Sequence, residues 1–357
     1  MTETPLEPIL ERAEVGDPLS EAEIVRLLSI VQKEEREALF AAARRVRSKH
    51  TGNRVFLYGF VYLSTYCRND CHFCFFRKAN TDSLRYRKSH DQVVQAARIL
   101  AESGVHLIDL TMGEDPVYFA ENQFEDLAAL VVSVTEATDL PVMISPGLVD
   151  GGVLALFKKS GVSWYACYQE THDRSLFGKV RPGQDFDDRL ESKRIARRLG
   201  LLTEEGMLSG LGESPTDVAR TLAAMGELDT DQIRVMSFVP QKGTPLSDHP
   251  PGDPDEEVKI IATMRLLFPD RLIPASLDIG GLGGLKLRLK AGANVITSLV
   301  PPGEGLAGVA QSSLDIDDAR RTVSSVEPVL KDCGLASATK SEYRRWVDDR
   351  MELSLGV

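Results

Sequence analysis

Apolar positions along the chain follow two alternating rhythms. Short strand-length runs rich in Val, Ile, Leu and Phe alternate with longer stretches in which apolar residues return every three or four positions, the pattern of βα units and a parallel sheet. Candidate strands fall at 55–64, 105–111, 141–145, 162–168, 206–210, 232–239, 272–277 and 293–299, with helical patterns at 90–103, 124–137, 186–199, 215–228, 254–267 and 281–291. Eight repeats of this kind predict an α/β fold, a (β/α)8 TIM-type barrel forming a single domain over 51–325. The stretch before residue 50, with Leu27, Leu28, Ile30 and Val31 among many charges, is predicted to be a helical extension capping the barrel's bottom. Residues 326–357 are predicted to be a helical tail.

Composition narrows the function classes. With 357 residues, 43% hydrophobic and 27% charged, the chain has enough apolar surface for a sizeable core. A net charge of −11 disfavours nucleic acid as a partner, because phosphate binding needs clustered Lys and Arg. The start, Met1-Thr2-Glu3-Thr4-Pro5, lacks the basic-then-apolar order of a signal peptide, and no apolar run reaches 18 residues. A cytoplasmic monomer away from membranes is the expectation.

The chemistry is concentrated in one loop. Cys67, Cys71 and Cys74 follow the first candidate strand in C-x3-C-x2-C spacing, with Phe73 just before the last. Fe–S cubes are normally held by four thiolates, so a compact trio leaves one iron of a [4Fe–4S] cluster free for a cofactor or substrate. A structural zinc site is the alternative, but it requires four ligands and only His72 is near. A disulfide framework is disfavoured by five Cys in so long a chain; Cys167 and Cys333 are expected to be small buried apolar residues.

Other polar residues recur at the C-terminal ends of candidate strands, where barrels of this type place their sites. Glu114 follows the second strand, Ser145 the third and Glu170 the fourth, and 206–213 forms a glycine-rich run at the fifth. Taken singly, such a carboxylate is equally a helix cap and such glycines a turn. Arg234 stands mid-strand among apolar residues, where a charge is costly unless paired. Ser276 and Asp278, two apart, share a face on an extended strand, as do Asp109 and Thr111. An internal Arg234–Asp278 ion pair remains open, as does a solvated pair between Arg189 and Asp185 or Asp188.

The cysteine spacing resembles the signature of the radical S-adenosylmethionine (SAM) superfamily, and 206–213 fits its G-x-I-x-G-x-x-E pattern with Leu208 in place of Ile. The stretches 168–171, 183–189, 234–241, 273–278 and 291–303 resemble the branch holding biotin synthase, the [FeFe]-hydrogenase maturase and 3-methylornithine synthase, and most of all the last family. Biotin synthase is disfavoured, since its second cluster needs further Cys. The resemblance implies a [4Fe–4S] cluster on Cys67, Cys71 and Cys74, with SAM on the fourth iron. It further implies SAM contacts from Phe73, Glu114, Ser145, Glu170, Arg181, Arg189 and Gly210, with Glu170 and Arg189 facing the charged groups of SAM.

For substrate, the resemblance implies Arg234, Ser276 and Asp278, to which Asp109 and Ser298 are added, as a set for a basic amino acid. No catalytic residue is implied beyond the cluster and SAM. The implied reaction is isomerisation of L-lysine to (3R)-3-methyl-D-ornithine, the first step of pyrrolysine biosynthesis. A 5′-deoxyadenosyl radical would abstract hydrogen, and the lysine radical would fragment and recombine. A flavodoxin or ferredoxin would supply the electron. The alternative is a maturase-like enzyme acting on another small amino-acid-like substrate.

Overall fold

The computed structural model describes residues 5–120, 123–301 and 321–355. The starting residues Met1 to Thr4, and Pro302 and Gly303 of the 291–303 stretch, lie outside the described residues. Strands β1 (Arg54–Ser64), β2 (Leu107–Met112), β3 (Val142–Ser145), β4 (Val162–Ala166), β5 (Leu202–Ser209), β6 (Gln232–Ser237), β7 (Pro274–Ser276) and β8 (Val295–Leu299) form a parallel sheet ordered β6-β5-β4-β3-β2-β1-β8-β7. A single bridge between Gln232 and Leu272 joins β6 to β7 and nearly closes the barrel.

Helices α1 (Leu6–Val15), α2 (Glu21–Leu28) and α3 (Lys33–Thr51) precede the barrel, and α4 (His90–Ser103), α5 (Gln123–Thr138), α6 (Gly151–Lys159), α7 (Arg174–Val180), α8 (Phe186–Arg198), α9 (Pro215–Glu227), α10 (Pro254–Leu267) and α11 (Gly281–Lys290) connect its strands. Helix α12 (Val323–Asp332), the short strand β9 (Ala336–Ser337) and α13 (Lys340–Leu355) follow. Helix starts are set by local chemistry. Ser89 and Gln92 form a capping box on α4, and Ser214 and Asp217 do so on α9, which also has Pro215 in its first turn.

Strand alternation separates two environments. Val55, Leu57, Val61 and Leu63 of β1 face the helices, while Phe56, Tyr58, Phe60 and Tyr62 face the barrel interior. The barrel's lower half is packed solid around Phe56, Tyr58, Trp164, Leu202 and Val295.

The bottom is closed from the C-terminal side. Tyr343 of α13 donates a 2.8 Å hydrogen bond to the Tyr58 hydroxyl, and Trp346 stacks on Trp164 with ring centroids 5.8 Å apart. Strand β9 pairs with the start of β1, and His106 bridges them, accepting from the Leu57 N–H and bonding the Ala338 carbonyl, each at 2.8 Å. The N-terminal helices, expected beneath the barrel, lie instead on its outer wall. Lys259 of α10 donates to the carbonyls of Leu28 and Ile30, and Arg47 of α3 donates to that of Ala293 at 3.1 Å. The physical reason is that aromatic side chains of α13 already occupy the bottom.

The expected strands and helices are present, α6, α7 and β9 are additional to them, and the largest shift in bounds is informative. Strand β5 begins at Leu202 rather than 206, because Thr203-Glu204-Glu205 disguises a buried strand as a polar turn.

Candidate active site

The top of the barrel encloses a cavity of about 210 Å³ that runs from the cysteine loop down to Phe60, Asp109, Arg234 and Asp278. Cys67, Cys71 and Cys74 all line it. The loop is held open by backbone bonds to its surroundings: the His72 N–H donates to the Val180 carbonyl at 2.8 Å and the Lys78 N–H to that of Asn69 at 2.7 Å. Burial pushes the Cys67 thiol up to about 11 and Cys74 higher still, with the neighbouring thiols adding to both. Thiols buried as those of Cys67 and Cys74 are lose their protons only when a cationic centre compensates them. Among the described residues, no three His, Cys, Asp or Glu converge on a single-ion position. The described residues thus offer no preformed zinc site, whereas a cube spreads its thiolates over separate irons.

Beside the cysteines lies a charged cradle. Arg181 donates to Glu170 Oε1 at 2.8 Å and to the Tyr168 carbonyl at 3.1 Å, and its guanidinium lies 5.1 Å from the Phe73 ring. Arg189 donates to the same carbonyl at 2.7 Å and to Glu114 Oε1 at 3.4 Å. Gln184 joins them, donating to Cys71 Sγ at 3.0 Å. The solvated pair considered for Arg189 is not formed: Asp185 instead caps α8, accepting from the Asp187 and Asp188 N–H groups. Arg189 is buried and turned inward because its helix face packs on β4 and β5.

The cradle leaves polar atoms over. Glu170 Oε2, Arg181 Nε and Arg189 Nε are buried without a hydrogen-bond partner among the described residues, an arrangement that costs on the order of 1–3 kcal/mol per group unless a ligand completes it. Glu170 also sits at φ 67°, strained for a non-glycine residue. A buried clamp holds it there. Glu205 accepts from the Gln169 N–H at 2.7 Å, and Lys193 donates to the Cys167 carbonyl at 3.0 Å and pairs with Glu205 at 2.5 Å.

Below the cradle lies a second charged set. Arg234 of β6 donates through Nε to Glu204 Oε1 of β5 at 2.7 Å and through Nη1 to Thr297 at 3.2 Å, leaving Nη2 buried and unpartnered. The register pairs Gly206 with Arg234 and Glu204 with Gln232, so Glu204 meets Arg234 diagonally across the strands. Asp109 accepts from Ser145 at 3.1 Å and is fully buried; burial first, then the Glu204 charge, push its carboxyl up to about 8.

Asp278 accepts from Tyr62 at 3.0 Å, from Ser298 at 2.7 Å and from Arg321 at 2.5 Å. The Arg234–Asp278 pair left open above is thus replaced by two separate pairs. Asp278 lies in the turn after β7, which ends at Ser276, so the shared-strand-face argument does not hold. The two residues still meet, since the Asp278 N–H donates to Ser276 Oγ at 3.2 Å.

The cavity wall contains Phe73, Asp109, Glu114, Ser145, Glu170, Arg181, Arg189, Arg234 and Asp278 of the expected residues. Ser276, Ser298 and Gly210 are not part of that wall. The two serines stand behind Asp278, their hydroxyls 3.3 Å apart, and Ser298 adopts φ 65° to present its own. Gly210 has φ 93°, and a Cβ there would lie 2.4 Å from the Gly252 Cα; its role here is close backbone approach, while Leu208 supplies the wall. Glu204, Tyr62, Tyr168, Gln184 and Arg321 were not anticipated. For Glu204 a signal existed, since consecutive charges just before a strand's glycine place one of them inside the barrel.

A parallel barrel whose top joins a three-thiol loop to a cradle of cations and carboxylates is an architecture for an Fe–S cluster and an amino-acid-bearing cofactor. A model of the radical SAM superfamily matches residues 61–225. The 3-methylornithine synthase of Methanosarcina barkeri (strain Fusaro / DSM 804) is 42% identical over 329 residues, covering 92% of this chain and 93% of that one. The [FeFe] hydrogenase maturase subunit HydE of Thermotoga maritima is 32% identical over 294 residues, 82% of each chain. The crystal structure of methylornithine synthase (PylB) matches with a TM-score of 0.90 at 40% identity, covering 95% of this chain and 99% of that one. The chain belongs to the radical SAM superfamily and, within it, to the family of the 3-methylornithine synthases. Its cofactors are accordingly a [4Fe–4S] cluster and SAM, and the buried orphaned atoms of Glu170, Arg181 and Arg189 fit the charged groups of such a cofactor.

Proposed function

We infer that the chain is a radical SAM isomerase that converts L-lysine to (3R)-3-methyl-D-ornithine, the first step of pyrrolysine biosynthesis. The observation that carries this reading is one cavity with the thiol loop at its mouth and a set of opposite charges, Arg234, Asp109 and Asp278, at its floor. When bound, the cluster and SAM would supply reversible hydrogen-atom abstraction from an unactivated carbon of lysine.

The protein's part is to bind, orient and enclose. Cys67, Cys71 and Cys74 would hold the cluster, and Glu170, Arg181 and Arg189 would hold the amino and carboxylate groups of SAM, with Glu114 and Phe73 behind them. The spare Nη2 of Arg234 receives the lysine carboxylate, a bond that Glu204 aims by fixing Nε. Asp109, with Ser145 beside it, and Asp278, set by Ser276 and Ser298, receive the ammonium groups. Fragmentation of the lysine skeleton demands that both pieces stay in place and dry, which the packed lower barrel beneath Tyr58 and Trp164 serves.

An electron carrier such as a flavodoxin or ferredoxin completes the system, and a monomer in the cytoplasm suffices for it. No helix among the described residues is long and apolar enough to cross a membrane. We also propose 51–325 as the catalytic barrel, with 1–50 and 326–357 as helical additions.

The test is anaerobic turnover of the reconstituted enzyme with SAM, a strong reductant and carbon-13-labelled L-lysine, read by NMR because product and substrate are isomers. A branched carbon skeleton is the expected result. Cleavage of SAM with lysine left linear overturns the substrate and favours the maturase-like reading.

A further inference from the structure

The cysteine loop carries a charge opposite to that of the molecule. Residues 66–90 hold six Lys or Arg against two Asp, in a chain of net charge −11. Of these, Arg68, Arg77 and Arg87 pair with Glu114, Asp70 and Asp115, so the charge available to a partner rests chiefly on exposed lysines beside the thiols. Lys78 is exposed, and its N–H is bonded to the carbonyl of Asn69, which lies between Cys67 and Cys71 in the loop. Lys179 is exposed one residue before Val180, whose carbonyl holds the loop at His72. Among the described residues no ion pair engages either lysine, whereas Lys242, 82% exposed, pairs with Asp82 at 3.6 Å, and its carbonyl accepts from Asn80.

Exposed apolar residues adjoin the first cysteine of the loop. Tyr66, immediately before Cys67, is 39% exposed, Leu84 62% and Val117 40%. They are physically joined: Thr65 Oγ1 donates to the Leu84 carbonyl, Arg87 lies over the Tyr66 ring, and Arg87 and the Val117 N–H both bond Asp115. An apolar centre with a charged rim is the anatomy of a transient protein interface.

We propose that this face of the cluster loop docks a small acidic protein that carries one electron to the cluster. The proposal deepens the function above and rests on it. The carrier loses one electron and the cluster gains it, with no proton or group transferred. Charge complementarity selects the partner: a negative carrier approaching a negative enzyme is repelled everywhere except where the surface reverses sign, which steers it to the thiols. A nucleic acid would meet the same repulsion over the rest of the surface without reaching a use for the cluster.

The experiment compares the holoenzyme with a K78E/K179E variant, using an acidic flavodoxin as probe. Neither lysine touches the cavity, and Arg68 and Arg87 are left alone because they pair with Glu114 and Asp115. Calorimetric Kd at low salt is expected to rise about tenfold or more in the variant, and its salt dependence to flatten, as for rim charges that steer association. A K78Q/K179Q variant is expected to fall between. With dithionite as the reductant, 5′-deoxyadenosine formation is expected to stay within about twofold of the unmodified enzyme, since a small-molecule reductant does not depend on rim charges that steer a protein carrier.

An unchanged Kd and salt slope overturns the proposal. So does an equal loss with flavodoxin and dithionite, which assigns the lysines to the integrity of the loop. An unmodified enzyme that forms no 5′-deoxyadenosine with dithionite overturns the underlying function, and the docking face with it.

Discussion

Substitution of Asp109 by Asn tests whether the cavity floor is built for an ammonium group. Asp109 is enclosed by Ser145, Glu204, Arg234 and Asp278, and its carboxyl is raised to about 8 from 3.8, first by burial and then by Glu204. With that value, about nine in ten free enzyme molecules carry the Asp109 proton at pH 7. A lysine ammonium arriving beside it favours the ionised form. Binding therefore releases close to one proton per lysine at pH 7, and lysine affinity rises about tenfold per pH unit toward pH 8, then levels.

The assay is calorimetry of the unreduced, SAM-loaded enzyme in two buffers of different ionisation enthalpy, where no turnover occurs and the difference in heat counts protons. Asp109→Asn is expected to abolish the release and weaken binding by about 1.5–3 kcal/mol, the worth of a charge-assisted hydrogen bond, or roughly ten- to a hundredfold. Stability gives an independent sign. Because the folded value lies above the unfolded one, stability is fully present below pH 3.8 and is lost as pH rises through about 8. The unmodified protein loses up to about 4 kcal/mol between pH 4 and pH 7 through this group, a slope that Asn removes. Proton release that persists in Asp109→Asn, or is absent from the unmodified enzyme, refutes the reasoning.

Three further changes probe the other layers. Glu204→Gln leaves Arg234 buried without its charge partner and is expected to cost about 3–5 kcal/mol in anaerobic thermal unfolding, with the lysine KM rising more than kcat falls. Tyr343→Ala empties the barrel's bottom and removes the bond to Tyr58, at about 3–5 kcal/mol in the same assay, while iron content stays unchanged. Cys74→Ala is expected to abolish the cluster's visible absorption and iron binding while the far-ultraviolet circular dichroism of the barrel persists, since its core lies elsewhere.

The strands and the thiol loop were legible because each depends on local pattern. A strand needs a short apolar run and a cluster loop needs close cysteines, and neither refers to distant sequence. Pairings were not legible, for they depend on which strands become neighbours. Arg234 announced itself as a charge in an apolar run, but nothing local said that its partner was Glu204, thirty positions earlier by number, rather than Asp278. The same limit hid α13. Its Tyr343 and Trp346 lie in a highly charged helix that looks like a solvated tail, and only the open barrel end explains them.

The Glu204–Arg234 pair has a cause that stability does not supply. A buried ion pair is commonly no better, and often worse, than apolar residues of equal volume, and the layer just below it shows that this barrel fills well with Phe, Tyr, Trp and Leu. Two charges on adjacent strands at this level fit the proposed substrate site better than they fit a role in stability. The pair leaves Arg234 Nη2 free and aimed while fixing the rest of the guanidinium. It also places a negative charge beside Asp109, which keeps that carboxyl protonated until a cation arrives. Under the proposed function, one carboxylate thus prepares both ends of a zwitterion site, so that a substrate would be held at two points beneath the cluster loop.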